Sequence, residues 1–220
     1  MDPIDSLIAG YRNFRRGSYQ ENAERYRLLA ARQQRPKAMI VCCCDSRADP
    51  ALILDADPGE LFVVRNVANL IPPYQPDGQY HGTSAALEFG ITGLEIGDVI
   101  VMGHAHCGGI AALLDAENGR APKGEFIGAW MSLVEEVATN VKARTPHGSR
   151  EELLRGMEHE AVLRSMAMLR TFPFVREREA AGKLRIHGWF FGIATGELSI
   201  YDARLDRFVN VPDVEASRKS

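Results

Sequence analysis

Two rhythms of apolar residues run along this chain: short unbroken runs, and stretches in which apolar residues return every three or four positions. The first marks strands buried on both faces, the second helices with one apolar side. Residues 38–43, 61–64, 98–103 and 184–193 read as strands, and 198–201 as a fifth. Leu7, Tyr11 and Phe14, then Tyr26 and Ala30, predict a helical N-terminal arm over residues 1–35, broken near Gly17. Gln34-Arg35-Pro36 ends it, because a residue before proline disfavours helix. The apolar side of the arm is too small for a core of its own, so it is expected to pack on the body or on a neighbouring subunit. Further helices are predicted over 81–94, from Gly108-Gly109, and around Phe126, Trp130, Val134 and Val137. Another follows Ser149, which fits a capping box with Glu152 ahead of Leu154, Met157, Ala161 and Met168. Asp49-Pro50 fits an N-cap followed by a first-turn proline. Residues 66–80, with Pro72, Pro73, Pro76 and Gly78, form a long loop, a feature more often functional than not.

Strands alternating with helices predict an α/β fold: a mostly parallel four- to five-stranded sheet flanked by helices, with the helical arm in front. A single domain over 1–220 is expected, with a loose tail at 215–220. Ligands in such sheets bind at the carboxyl ends of the strands. Two motifs fall there, Cys42-Cys43-Cys44-Asp45-Ser46-Arg47 after the first strand and His104-Ala105-His106-Cys107-Gly108-Gly109 after the third, and together they hold all four cysteines.

Composition narrows the setting. A hydrophobic content of 45%, a charged content of 25% and a net charge of −3 suit a globular domain and give no electrostatic case for a nucleic-acid or anionic-membrane partner. No apolar run approaches the roughly 20 residues of a spanning helix. The N-terminus lacks the apolar stretch of a signal peptide, so a cytoplasmic location is expected. Adjacent Cys42, Cys43 and Cys44 cannot easily bridge one another, which favours core, catalytic or metal-binding roles in a reducing compartment.

His104 and Cys107 form a His-x-x-Cys pair able to face one ion, and one cysteine of the first motif completes three ligands. Two thiolates and an imidazole with an open fourth position are a catalytic zinc pattern. Strand alternation sets Cys43 on the opposite face from Cys42 and Cys44, but spacing alone does not choose between the two classes.

The two motifs together resemble the signature of the β-class carbonic anhydrases. The similarity continues through Pro58-Gly59, Phe62-Val63-Val64-Arg65-Asn66, Ala68-Asn69, Pro72-Pro73, Gly82-Thr83, Glu160-Ala161-Val162, Pro173-Phe174-Val175 and His187-Gly188-Trp189. The resemblance implies one zinc ion per subunit held by Cys43, His104 and Cys107, and reversible hydration of carbon dioxide to bicarbonate and a proton. It implies Asp45 and Arg47 as a catalytic pair beside the metal, with Asp45 a possible fourth ligand in a closed state. It implies Gln34, Phe62, Val67 and Gly108 at the substrate, and a homodimer or homotetramer in which N-terminal helices embrace a neighbour. Ile40, where the bicarbonate-regulated branch carries tryptophan, places the chain nearer the plant-like branch.

Two departures from the plant pattern stand out. Phe89 replaces a cleft tyrosine, and Gly93 stands where a nearby histidine is proposed to carry protons, leaving His81 or His106 as substitutes. Two thiolates formally offset the zinc charge, so bound water is expected to be less acidic than the value near 7 of a three-histidine site. The rate is then expected to rise with pH past neutral. Competing readings are hydrolysis of carbonyl sulfide or carbon disulfide on the same scaffold, and a non-catalytic zinc protein. A thiol redox protein is disfavoured by the lack of a Cys-x-x-Cys pair. Cys42 and Cys44 are expected as bystanders, His187 as a hydrogen-bonded core residue, and His147 and His159 as surface residues.

Overall fold

The computed structural model describes residues 2–116 and 124–212; the expected tail at 215–220 lies outside them. Asp2 caps α1 (Pro3–Arg16) by accepting a hydrogen bond from the Ile4 amide, and Pro3 sits where a helix needs no amide donor. Gly17 ends α1, and α2 (Ser18–Glu21) and α3 (Ala23–Ala30) complete the arm. Phe14 packs edge-on against Tyr19 and Tyr26 of the arm, while Ile4, Leu7, Ile8 and Tyr11 lie exposed along the apolar side of α1, an amphipathic helix.

β1 (Ala38–Cys43) leads to α4 (Pro50–Ile53), capped by Asp49, and to β2 (Leu61–Asn66), parallel to β1. α5 (Gly82–Glu88) runs into a wider π turn, Phe89–Gly93. β3 (Asp98–His104) pairs in parallel with the other side of β1, and α6 (Gly108–Asp115) follows it. Next come α7 (Ile127–Met131), α8 (Glu135–Arg144), α9 (Arg150–Leu169) and α10 (Pro173–Ala180). β4 (Arg185–Phe191) pairs in parallel with β3, while β5 (Leu198–Asp202) and β6 (Arg207–Asn210) turn back as antiparallel neighbours. The strand order is β2-β1-β3-β4-β5-β6.

Among the described residues the sheet therefore has six strands, one beyond the four or five expected. β6 is four residues long with two apolar ones, and at a sheet edge its other residues need no burial. α10 was not foreseen either, since its Arg-Glu-Arg-Glu run buries only Val175. β2 was expected to be buried on both faces but is the opposite edge, with Val63 39% exposed.

Alternation along β1 and β3 divides the core. Met39, Val41, Val99 and Val101 face Leu87, Ile91, Val162, Leu169 and Phe172, whereas Ile40, Cys42, Ile100 and Met102 face Ile53, Leu54 and Trp189. Each such side chain contributes about 1.5–3 kcal/mol on burial. At the carboxyl ends a third cluster gathers Cys43, Ala68 and Cys107 against Ile110, Val137, Val141, Leu154 and Met157. α9 spans this cluster and the first. It lies close on the sheet because Gly103 and Gly188 lack a Cβ, which would meet Val162 Cγ2 and Met166 Sδ at 2.6 Å each. No helix among the described residues is long and apolar enough to cross a membrane.

Candidate metal centre

Cys43 is the last residue of β1 and His104 the last of neighbouring β3, so the parallel register brings both to one end of the sheet. Cys107 precedes α6 and returns to the same point. Their ligand atoms all lie within 4.8 Å of one another and are buried. Cys43 Sγ is 3.9 Å from Cys107 Sγ, against about 3.8 Å for two thiolates on a tetrahedral zinc with bonds of about 2.3 Å. His104 Nδ1 lies 2.9 Å from the Ala105 carbonyl, which assigns the ring proton to Nδ1 and turns Nε2 toward the sulfurs. That Nε2 is buried with no hydrogen-bond partner, as a nitrogen meant for a metal would be. The Ala68 amide donates to Cys43 Sγ at 3.4 Å from a left-handed backbone, φ 62°, that a non-glycine residue adopts only under constraint. These donors fit a zinc ion.

The surroundings separate the three cysteines. Cys42 points to the other side of the sheet, and burial pushes its thiol up to about 12. Cys44 is exposed, its amide donating to the Asn66 carbonyl. Cys43 is lowered, first by its contact with Cys107 and then by His104, against the effect of burial. The same contact, with burial, raises Cys107. The pair thus gives up one proton readily and resists losing the second, which a divalent cation between the sulfurs would release. Burial alone would lower His104, but the Cys43 thiolate reverses the direction.

Asp45 stands beside this group. Its Oδ1 accepts from the Arg47 amide at 3.0 Å and from Arg47 Nε at 2.9 Å, and its Oδ2 accepts from the Arg47 guanidinium at 2.7 Å. This two-pronged grip holds the carboxyl well below the usual range, so Asp45 is ionised. Asp45 Oδ2 is 3.9 Å from His104 Nε2 and remains outside the three-residue group. Arg47 also donates to the His106 carbonyl at 3.2 Å, tying the two motifs together.

The remaining expected residues divide between the two ends of the sheet. Val67 packs at the site: Trp130 Nε1 donates to its carbonyl at 2.8 Å, and its side chain borders Gly109. Gly108 opens onto free space at the start of α6. Gln34 precedes β1 and is exposed, at the end of the strand opposite Cys43. Phe62 pairs with Met39, four residues before the Asn66–Cys43 pair, or roughly 13 Å along the strand. It lies beside exposed Phe89, ring centroids 6.1 Å apart. One chain alone therefore does not bring Gln34 and Phe62 to the cysteines. His81 is bound to Asp77, and His106 is exposed beside Cys107.

Two residues at the site had no expected role. Arg65 donates to the Cys43 carbonyl at 3.0 Å, the Asp45 carbonyl at 2.7 Å and Asp49 at 2.9 Å, fixing the backbone of the first motif. Glu158 accepts from the Cys107 amide at 2.9 Å. Its place in the stripe Leu154, Glu158, Ala161 was the available signal. His159 also departs from expectation: its Nε2 is buried without a partner and its ring packs on Phe190 and Phe208.

Comparison with known proteins bears on this geometry. The profile of the family described as carbonic anhydrase matches residues 38–198. Beta carbonic anhydrase 3 of Arabidopsis thaliana is 36% identical over 203 residues, covering 92% of this chain and 78% of the relative. The chain belongs to the β-carbonic anhydrase family. A carbonic anhydrase of a Synechocystis species is 36% identical over 206 residues, covering 94% of this chain and 74% of that one. The solved structure of the β-carbonic anhydrase CcaA superposes with a TM-score of 0.88 at 34% identity, covering 95% and 92% of the two chains. As a β-carbonic anhydrase the chain is an enzyme, and its plant relatives are consistent with the plant-like branch.

Proposed function

We propose that this chain hydrates carbon dioxide reversibly at a zinc ion held by Cys43, His104 and Cys107. The observation that carries the proposal is Asp45, locked by Arg47 beside three buried donors of the right spacing. Zinc bound there would lower the pKa of water and so supply a nucleophile, in growing amount as pH rises past neutral. Asp45, ionised and held by Arg47, would accept a hydrogen bond from solvent at that position and so orient it toward the substrate carbon. Val67 and the open approach past Gly108 give carbon dioxide, which has no charge to bind, an apolar seat. The grip of Arg47 keeps Asp45 from serving as a fourth ligand, which favours the open state over the closed one.

Gln34 and Phe62 enter this account from a second copy of the chain. Both lie at the far end of their own sheet, which also has an apolar edge strand, and the arm leaves Ile4, Leu7, Ile8 and Tyr11 exposed. A homodimer that buries β2 and α1 would carry Gln34, as a donor to a substrate oxygen, and Phe62, as an apolar wall, to the neighbouring site. Asp45→Ala tests the catalytic assignment. Bound zinc should stay stoichiometric while hydration, followed by stopped flow, falls about 100-fold; unchanged hydration with zinc retained would remove Asp45 from the mechanism.

A further inference from the structure

Glu158 is the one buried carboxylate among the described residues, 3% exposed on the inner side of α9. Burying such a group is costly unless it is bonded. Its nearest cation is a weak counterweight, since Arg155 Nε is 3.9 Å away on a half-exposed side chain drawn toward the Phe190 ring. Its firm contact goes to the turn between β3 and α6, where Glu158 Oε1 accepts from the Cys107 N–H at 2.9 Å.

That turn needs an outside hold. His106 sits in the left-handed region at φ 57°, with none of the freedom of glycine there. Cys107 is the N-cap of α6 but makes no side-chain cap, because its sulfur faces Cys43. The amide of Cys107 itself lies ahead of the helical bonds of α6 and needs an acceptor from elsewhere, the part an N3 glutamate plays in a capping box; here Glu158 supplies it from another element.

We infer that Glu158 is a positioning residue for the metal centre, setting through the His106-Cys107 backbone the direction in which Cys107 Sγ meets the ion. The arrangement mirrors Arg65, which holds carbonyls of the first motif as Glu158 holds the Cys107 amide of the second. A carboxylate suits amides, a guanidinium suits carbonyls, and each holds one half of the ligand set.

The inference rests on the proposed Cys43–His104–Cys107 zinc site. The test compares the full chain with Glu158→Gln, Glu158→Asp and Glu158→Leu, reading zinc affinity by chelator competition and the visible spectrum after cobalt(II) substitution. Glu158→Gln keeps an acceptor at the same reach and should stay within a few-fold of wild type. Glu158→Asp withdraws the acceptor by one methylene and Glu158→Leu abolishes it; each should weaken zinc binding about 10- to 100-fold and shift the cobalt bands. Glu160→Gln, which alters the half-buried partner of Arg144, should change neither readout. If Glu158→Leu does not fold, Glu158→Asp carries the comparison. Wild-type affinity and spectrum in whichever of the two folds would overturn the inference, as would a Gln variant no better than Asp. A wild-type chain that binds no zinc would instead overturn the metal site itself.

Discussion

Individual residues at this site act mainly by holding one another. Arg47 fixes Asp45, the Ala105 carbonyl fixes the His104 tautomer, and Arg65 and Glu158 fix the backbone on either side. The two motifs were legible in the sequence because cysteine, histidine, aspartate and arginine at strand ends have few bland explanations. The supporting residues were not, since Glu158 and His159 lie in a run of charged residues that reads as a solvated helix face. His159 offers a test at this scale. Burial, then Arg155, holds it down at about 4, from an ordinary value of 6.5. Between those values the unfolded chain takes up a proton that the folded chain refuses, so stability falls as pH drops through the window and the contribution is gone below it. Urea denaturation of metal-free protein should show wild type losing on the order of 2 kcal/mol more than His159→Phe between pH 6.5 and 4. Parallel losses would place the titration elsewhere.

At the scale of elements, the strands that carry chemistry were the easiest to find, because β1 and β3 are central and therefore unbrokenly apolar. β6 and α10 were missed for the converse reason: each spends most of its surface in solvent and leaves little hydrophobic pattern. β2 was found but misplaced, since an apolar run reads as interior whether it is covered by its own chain or left at an edge. α9 was legible down to its start, where Ser149 Oγ accepts from the Glu152 amide and the Glu152 carboxylate accepts from the Ser149 amide. Ser149→Ala should cost about 1 kcal/mol, read as a lower urea midpoint at unchanged slope. An unaltered midpoint would mean that tertiary packing alone sets that helix end.

At the scale of the whole molecule, the exposed features of one chain form a pattern. α1 presents Ile4, Leu7 and Tyr11 to solvent, β2 leaves an apolar edge open, and Phe62 and Phe89 lie at the end of the sheet away from the cysteines. The proposed second copy would cover all three. The doubly substituted Leu7→Asp, Tyr11→Asp chain should sediment at a lower mass than wild type, and its hydration should drop at least about tenfold with zinc still bound, because Gln34 and Phe62 no longer reach a neighbour. Wild-type mass, or full activity at the mass of one chain, would refute that arrangement. The central claim, that zinc at Cys43, His104 and Cys107 is what makes this chain hydrate carbon dioxide, is tested most directly by measuring hydration rate against zinc bound per chain during stepwise reloading of chelated protein. The account predicts a rate that rises in proportion to zinc and levels off at one ion per chain. A rate independent of zinc, or a fully loaded chain no faster than buffer, would contradict it.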